Sequence, residues 1–339
     1  MERSEFEIKA AEIKWAIDKS TNILLHLHPS PDPDSAGSVL ALAEYCESLG
    51  KKVTVIGGDS ELSDTMSALS GFGKILPKSY AEIDPNQFDL FLILDSGSVG
   101  MISKKGEVIF PAGMMTVVID HHATNIGYGQ INLIDTEAPA TAQIVYELLM
   151  QWEAPISNNM AVNLFVGLHT DTGGFRYLKG DGVRTLEVGA KLLSLSKDAP
   201  KMVLDVDRTM AKGTLRYKAL ALSKVEEIVG GRGALVAVSY DDLEKNNISF
   251  KETEGASLSS ELLMVRDWEF AVTIVEKEKG HVRVSLRAKD AKVLDVSKVA
   301  EILGGGGHPA AAGALFVGTI EEVKSRVIEK ISELIGGQK

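Results

Sequence analysis

Cysteine is almost absent from this chain of 339 residues. The single Cys46 cannot form an intramolecular disulfide, which favours a reducing compartment. Cys46 lies in a predicted helix, where we expect it to be a small buried apolar residue. No stretch reaches the roughly 18 to 20 apolar residues that a membrane helix needs. The N-terminal residues 1–17 also lack the apolar core and cleavage pattern of a signal peptide. These absences predict a cytoplasmic protein with no membrane partner.

An excess of basic residues is also missing. The formal net charge is −11, and the isoelectric point lies near 5.2. Because proteins that wrap long nucleic acid are usually basic, we expect no long nucleic-acid partner. Most of the negative charge lies before residue 229, in the part of the chain that also carries the motifs described below. An acidic pocket repels phosphate unless cations occupy it, so this distribution points to bound metal.

The chain is long for one domain, and its patterns predict two. Over residues 1–194, short apolar runs alternate with helical patterns, which predicts an α/β domain with a mostly parallel sheet. Residues 195–228 are predicted to form a helical connector. Residues 229–339 predict a smaller α/β domain with a mixed sheet, a hairpin that turns near Lys279-Gly280, and a final amphipathic helix.

Metal-capable side chains follow several of the predicted strands and helices. The first group is His28, Asp32 and Asp34, in "HLHPSPDPDSAGS" behind the first apolar run. The others are Asp95, then Asp120 with His121 and His122, and finally Asp171. In an open parallel sheet, residues past the carboxyl ends of the strands gather in one crevice. Carboxylates and imidazoles bind Mn²⁺, Mg²⁺ or Zn²⁺, and this set is large enough for two ions. Two ions about 3.5 to 4 Å apart commonly hydrolyse phosphoesters.

Each of these residues also has a plainer interpretation. Asp34 could be the N-cap of the helix that follows it. His28 and His169 could serve packing or hydrogen bonding, and "DSGS" at 95–98 could be an ordinary turn. The Asp-His-His run at 120–122 resists this interpretation because three polar residues end a buried strand. Taken together, at successive element ends, the residues favour a joint site.

Four motifs resemble, in order, the metal-site motifs of the DHH phosphoesterases. They are "HLHPSPDPDSAGS", "LILDSGS", "VIDHHATN" and "GLHTDTGGFRY". The run "GGGGHPAAAG" at 304–313 resembles the glycine-rich motif of the DHH-associated substrate domain, so the resemblance covers nearly the whole chain. It implies two Mn²⁺ ions, with Mg²⁺ or Co²⁺ as alternatives. One ion would be held by His28, Asp32 and Asp95, and the other by Asp34, Asp95, His121 and Asp171.

The resemblance also implies roles around the ions. Asp95 would bridge them and take part in catalysis. His122 would face the phosphate, either as a general acid or as a phosphate ligand, and Asp120 would fix the orientation of a neighbouring histidine. His26 shares the side of His28 by strand alternation but stays outside the ligand set. Gln143 stands where related sequences commonly have Glu, and it lies off the ligand set.

The predicted second domain offers residues for the substrate. In "VRVSLRAK", Arg283 and Lys289 are expected to be solvated cations, whereas Arg287 matches the "SLR" motif of the resemblance and is predicted to bind a phosphate. The bare glycines from Gly304 to Gly307 let backbone N–H groups approach an anion. A helix is predicted to begin at "PAAAGALF" behind them. The family interpretation adds Gly305, Gly306, Gly307 and His308 to the substrate site.

The subgroup most similar to this chain is that of the short-oligonucleotide phosphodiesterases, or nanoRNases. This resemblance implies a manganese-dependent hydrolase that converts very short oligoribonucleotides or dinucleotides such as pApA to nucleoside 5′-monophosphates. The alternatives are a 3′-phosphoadenosine 5′-phosphate phosphatase and a cyclic-dinucleotide phosphodiesterase of the same fold. A non-catalytic nucleotide-binding regulator would have lost ligands, and none is lost. "GGGGHPAAAG" argues against a pyrophosphatase. Dimers are common in such proteins, so a homodimer is expected.

Overall fold

The structure is a computed structural model that describes residues 2–336, apart from residues 61, 63, 181, 209, 255 and 257. The chain divides into two compact units, Met1–Thr209 and Met210–Lys339. No helix in the described ranges is both long and apolar enough to cross a membrane. The predicted α/β class is confirmed, with a parallel sheet in the first unit and a mixed sheet in the second.

The first unit contains a sheet of six parallel strands. They are β1 (Asn22–His26), β2 (Lys52–Ile56), β3 (Ile75–Leu76), β4 (Leu90–Leu94), β5 (Met115–Asp120) and β6 (Ile131–Ile134). The order across the sheet is β3-β2-β1-β4-β5-β6. The direction in which strands are added therefore reverses between β1 and β4. Open α/β sheets bind ligands at the carboxyl ends of such a pair, because the connections leave a crevice there.

Helices cover this sheet and form its larger core. They are α1 (Arg3–Lys19), α2 (Pro33–Ser48), α3 (Thr141–Gln151), α4 (Asn158–Asp171), α5 (Gly182–Leu195) and α6 (Ala199–Asp207). Alternate residues of one strand enter different cores: Leu92 packs on the helical side, and Phe91 and Ile93 pack on the opposite side. Burial on both faces explains why the strands are continuous apolar runs in the sequence.

Two glycines allow α2 and α4 to pack closely. A Cβ on Gly37 would lie 2.3 Å from the carbonyl oxygen of Asn163, and a Cβ on Gly167 would lie 2.9 Å from Oδ1 of Asp34. Because residues four apart share a helix face, Asp171 follows Gly167 on the side that α2 contacts. This packing brings the first turn of α2 next to the last turn of α4.

The second unit is built on a mixed sheet of order β11-β12-β10-β9-β8-β7. Its strands are β7 (Val225–Ile228), β8 (Gly233–Val238), β9 (Phe270–Glu278), β10 (His281–Ala288), β11 (Gly306–His308) and β12 (Ala311–Val317). Its helices are α7 (Lys212–Leu222), α8 (Tyr240–Lys245), α9 (Phe250–Glu254), α10 (Leu258–Leu262), α11 (Ser297–Glu301) and α12 (Ile320–Gly336). The hairpin of β9 and β10 turns where predicted, with Gly280 at φ +80°.

Two sequence predictions differ from this architecture. The helix predicted at "PAAAGALF" is wrong, because residues 311–317 form β12 and pair antiparallel with β10. Without β12, the long strand β10 would present an unpaired edge, and this tertiary pairing outweighs the weak helical preference of the alanine run. The segment 195–228, predicted to be helical, also contains β7 at its end.

Candidate metal centre

The loop after β1 carries the first cluster. Asp32 is the N-cap of α2, and its Oδ1 accepts the N–H of Ser35 at 2.9 Å. Its other oxygen, Oδ2, lies 3.7 Å from Nε2 of His28. The same Nε2 lies 3.6 Å from Oδ2 of Asp95, and ligand atoms of all three residues lie within 4.8 Å of one another. Since Asp32 is the cap, the interpretation of Asp34 as the helix N-cap is wrong.

Asp34 is fully buried at the start of α2. Its carboxylate accepts the backbone N–H groups of Thr141 at 2.7 Å and Ala142 at 2.9 Å, at the first turn of α3. Burial raises the pKa of Asp34 well above its usual range, and the nearby charges of Asp95 and Asp171 raise it further. The ionised carboxylate of Asp34 therefore lacks a compensating positive charge, although the N-terminus of α3 holds it in place.

Asp95 lies directly after β4 and faces both sides of the crevice. Its backbone is left-handed, with φ +53°, a conformation that non-glycine residues rarely adopt and that is enriched at functional sites. The hydroxyl of Thr141 donates to Oδ1 at 3.0 Å. Oδ1 lies 3.5 Å from Nε2 of His121, whereas Oδ2 faces His28. One carboxylate thus reaches two histidines on opposite sides.

The second cluster is formed by Asp34, His121 and Asp171. His121 follows β5, and its Nε2 lies 3.4 Å from Oδ2 of Asp171, the last residue of α4. Burial raises the pKa of Asp171 to about 6, with further contributions from Asp32 and Asp95. The structure therefore brings together all six of the predicted ligands, from four separate segments of the chain.

His122 is oriented by Asp120, the last residue of β5. Nδ1 of His122 lies 2.7 Å from Oδ1 of the fully buried Asp120, which also accepts the N–H of His121. The second oxygen of Asp120 accepts from the side-chain amide of Asn125 at 2.7 Å. The hydrogen bond that His122 donates to Asp120 raises the pKa of His122 to about 9 despite partial burial. The side chain is 45% exposed, so a protonated imidazole beside the clusters is accessible to solvent.

The donor set fits divalent cations. The carboxylate–imidazole separations in the two clusters run from 3.4 to 3.7 Å, which is long for hydrogen bonds. Two ligands that each lie about 2.1 Å from one ion are about 3.0 to 3.5 Å apart, close to these values. Four crowded carboxylates are also costly without a cation, as the raised pKa values of Asp34 and Asp171 indicate.

Three other polar residues of the first unit lie outside these clusters. His26 packs its ring 5.3 Å from that of Phe91 on the opposite face of the sheet, and burial lowers its pKa to about 3. His169 lies 3.6 Å from Asp207. Gln143 accepts a hydrogen bond from the hydroxyl of Thr185 at 2.9 Å. His26 is neutral and structural, in keeping with its exclusion from the ligand set.

Sequence reasoning missed the residues that hold the ligands in place. Thr141 contacts both Asp34 and Asp95, which are 107 and 46 residues away along the chain. Asn125 fixes Asp120 from five residues away. The "HHATN" motif offered a local signal for Asn125. Thr141 offered only its place before a helical pattern, because its partners come from tertiary packing.

In the second unit, the cations of β10 and of the residue directly after it have different surroundings. Arg283 pairs with Glu254 at 2.9 Å and stacks 4.8 Å from the ring centre of Phe250. Lys289 donates to two backbone carbonyls between α10 and β9. The prediction of a solvated cation is therefore wrong for Arg283, which is partly buried and paired. Lys289 is exposed, as expected of a solvated cation, and its ammonium also reaches those two carbonyls. Arg287 is half-buried and makes no ion pair or side-chain hydrogen bond within the described ranges.

The glycine-rich run forms the short strand β11 and the turn before it. Ala311 of β12 pairs with Arg287 on one side and with the exposed His308 on the other. Directly opposed residues point to the same face of a sheet, so these side chains share a face. A Cβ on Gly305 would lie 2.2 Å from the carbonyl oxygen of Gly313, whereas Gly306 has open space around it. Part of the run therefore serves backbone packing.

Comparison with known proteins agrees with this architecture. Residues 22–168 match the model of the DHH family N-terminal domain, and residues 250–337 match that of the DHHA1 domain. The chain is a DHH-family protein with a DHHA1 domain. The resemblance inferred from its motifs, and the prediction of a DHH phosphoesterase, are thereby confirmed.

Relatives of this DHH protein match along most of its length. A probable bifunctional oligoribonuclease and PAP phosphatase, NrnA, from Streptococcus mutans is 28% identical, covering 86% of this chain and 88% of the relative. The NrnA of Thermus thermophilus is also 28% identical, covering 95% and 92%. An exopolyphosphatase-related protein from Bacteroides fragilis has the same fold, with a TM-score of 0.85, 24% identity and coverage of 97% and 98%.

Proposed function

We propose that this protein is a two-metal phosphodiesterase that hydrolyses very short oligoribonucleotides or dinucleotides to nucleoside 5′-monophosphates. The observation that carries the proposal is the position of Asp95 between two ligand clusters at the switch point of the parallel sheet. The similarity to oligoribonuclease and PAP phosphatase relatives supports the substrate class.

The two clusters divide the proposed ligands between two ions. His28, Asp32 and Asp95 would hold one, and Asp34, Asp95, His121 and Asp171 the other. Divalent ions in such a site lower the pKa of water and neutralise charge that develops on the phosphate. We propose Mn²⁺ for this protein, with Mg²⁺ or Co²⁺ as alternatives, because carboxylate and imidazole ligands suit these ions.

His122 would act on the substrate directly. Its Nδ1 is held by Asp120, and its raised pKa keeps the ring protonated at neutral pH. Nε2 makes no hydrogen bond within the described ranges, so it can donate to a phosphate oxygen or to the leaving oxygen. Either contact stabilises charge that appears as the phosphodiester bond breaks.

The exposed face of β10, β12 and β11 would bind the rest of the nucleotide. The guanidinium of Arg287, which has no ion pair among the described residues, can hold a phosphate through two parallel hydrogen bonds. A Cβ added to Gly306 would have no neighbour within 4 Å, so the backbone there is open to an anion. The proposed substrate face therefore consists of Arg287, His308 and the glycine run.

A direct test is the hydrolysis of pApA with Mn²⁺ by wild-type protein and by Asp95→Asn. We expect the variant to lose at least about 10³-fold in kcat/KM, because it weakens both clusters. Asp207→Asn, in the same unit but outside the clusters, is the matched control and should stay near wild type. Retained activity in Asp95→Asn would rule out the two-metal model.

A second candidate is the removal of the 3′-phosphate from 3′-phosphoadenosine 5′-phosphate. It is favoured by the PAP phosphatase activity in the names of the relatives. Kinetic comparison of pApA, a longer oligoribonucleotide, a cyclic dinucleotide and 3′-phosphoadenosine 5′-phosphate separates the candidates. The substrate with the highest kcat/KM identifies the main activity.

A further inference from the structure

The segment that follows Asp171 has an unusual backbone. Gly173, Gly174 and Phe175 have φ values of +57°, +72° and +63°, so three consecutive residues are left-handed. The N–H groups of the two glycines donate to carbonyls of the last turn of α4 at 3.0 and 2.8 Å. A phenylalanine in this conformation is uncommon, which indicates that the surrounding contacts impose the backbone.

Phe175 anchors the segment to the core of the first unit. Its ring centre lies 6.0 Å from that of Phe165, and its N–H donates to the hydroxyl of Thr172 at 3.0 Å. Gly189 of α5 makes room for it, since a Cβ there would lie 3.0 Å from the ring. The residues on either side of Phe175 are thus held in fixed positions beside a proposed metal ligand.

Tyr177 lies two residues beyond this anchor and is 66% exposed. Its ring rests on Gly173, where a Cβ would lie 2.8 Å from two ring atoms. Its N–H donates to the carbonyl of Thr172 at 2.9 Å, whereas its hydroxyl makes no hydrogen bond within the described ranges. One side of the ring is therefore supported by backbone, and most of its surface is open.

We propose that Tyr177 is a stacking platform for a nucleobase of the substrate, an inference that rests on the proposed function. Gly173 is two residues from Asp171, so their Cα atoms are at most about 7 Å apart. A ring supported there lies within one nucleotide of a phosphate bound at the clusters. Stacking on tyrosine accepts any base, because every base has a π-face.

The adjacent Arg176 adds a positive charge to the same segment. It is exposed and makes no ion pair within the described part of the chain. An aromatic ring next to such a guanidinium suits a nucleotide, which combines a flat base with an anionic phosphate. The catalytic unit would then recognise nucleotides itself and disfavour phosphodiesters without bases.

Steady-state kinetics with pApA and with an abasic analogue of the same phosphodiester test this proposal. Tyr177→Ala should raise the KM for pApA about tenfold, or about 1.4 kcal/mol, with little change in kcat. Tyr177→Phe keeps the ring and should stay within about twofold of wild type. The exposed Trp15 of α1 provides the matched control, Trp15→Ala, which should not change KM.

Binding of 2-aminopurine riboside 5′-monophosphate to the protein gives a second readout that does not depend on hydrolysis. Stacking should quench its fluorescence in wild type and Tyr177→Phe but not in Tyr177→Ala. An unchanged KM for pApA in Tyr177→Ala, or an equal loss with the abasic analogue, would overturn the platform. If wild type hydrolyses neither substrate, the proposed function fails, and the fluorescence result alone decides the role of Tyr177.

Discussion

The two units of this protein treat charge in opposite ways. The first unit buries several titratable side chains, each less than one tenth exposed. They are His26, His28, Asp34, Asp95, Asp120 and His121. In the described part of the second unit, the buried polar residues are Thr214, Thr253, Ser259 and Thr273, all of them uncharged. The second unit keeps its candidate binding residues, Arg287 and His308, on the surface of its sheet.

This difference shows that, among the described residues, only the first unit buries charged groups, at a cost to its stability. Burying a carboxylate among other carboxylates costs free energy unless cations or donors compensate it. In the first unit these carboxylates lie at the carboxyl ends of β1 and β4, where the strand order reverses. Backbone N–H groups at the start of α3 and the hydroxyl of Thr141 hold Asp34 and Asp95 in place. In the second unit, the candidate binding residues Arg287 and His308 are not fully buried, and apolar clusters lie against the strands of the sheet.

The largest expected effect in the second unit comes from Arg287. We expect Arg287→Ala to lower kcat/KM for pApA about 100-fold, or about 2.7 kcal/mol, because a charge-assisted phosphate contact is lost. Arg283→Ala on the same strand is the matched control. It should destabilise the unit through loss of Glu254 and Phe250 contacts but leave KM unchanged. Equal kinetic effects of the two variants would contradict a specific role for Arg287.

Two neighbouring glycines of the run differ in how closely they pack against β12. Gly305→Ala should reduce the free energy of unfolding by about 2 to 3 kcal/mol, because its Cβ would meet the backbone of β12. Gly306→Ala has open space and should change stability by less than about 0.5 kcal/mol. Urea unfolding measures both. If Gly306→Ala destabilises as much as Gly305→Ala, the packing account is wrong.

In the first unit, Asp171 should make the metal-free protein less stable as pH rises. Its pKa is raised to about 6 from a usual value near 4, so its ionisation destabilises the fold increasingly between these values and fully above them. With a chelator at pH 8, Asp171→Asn should gain about 2 kcal/mol in urea unfolding, with little gain at pH 4. A gain that is equal at both pH values would argue against charge crowding.

Asp242 provides the opposite slope in the second unit. It lies in the capping box of α8 and pairs with Lys224 at 2.7 Å. Burial alone would raise its pKa, but Lys224 and Ser239 lower it to about 2. Its stabilising effect is therefore present above about pH 4 and lost as pH falls towards 2. Asp242→Ala should cost about 1 kcal/mol at pH 7, and no cost there would refute the cap.

The sequence predicted the elements whose periodicity is strong. The alternation of apolar runs and helical patterns predicted for residues 1–194 is present, in the buried strands β1, β4 and β5 and the helices α3 and α4. The strand β12 was mistaken for a helix, because alanine and glycine carry little periodic signal and strand pairing decided its conformation. The edge strand β6 was not predicted, since its four residues are too few for a pattern.

The sequence predicted the candidate metal ligands but not the residues that hold those ligands in place. His28, Asp95 and His121 could be placed from their positions after strands, because parallel strands share one carboxyl edge. The contacts of Thr141 with Asp34 and Asp95 could not, since they join segments far apart in the chain. The left-handed backbone of Asp95 could not be predicted either, because aspartate adopts this conformation only occasionally, although more often than most residues.

The most direct test of the two-cluster account is a calorimetric titration of the chelator-treated protein with Mn²⁺. We predict two ions per chain for wild type, because the two proposed ligand sets share only Asp95. In Asp95→Asn both affinities should fall at least about tenfold, since each cluster loses a charged ligand. Two ions bound to Asp95→Asn with wild-type affinity, or fewer than two bound to wild type, would contradict the account.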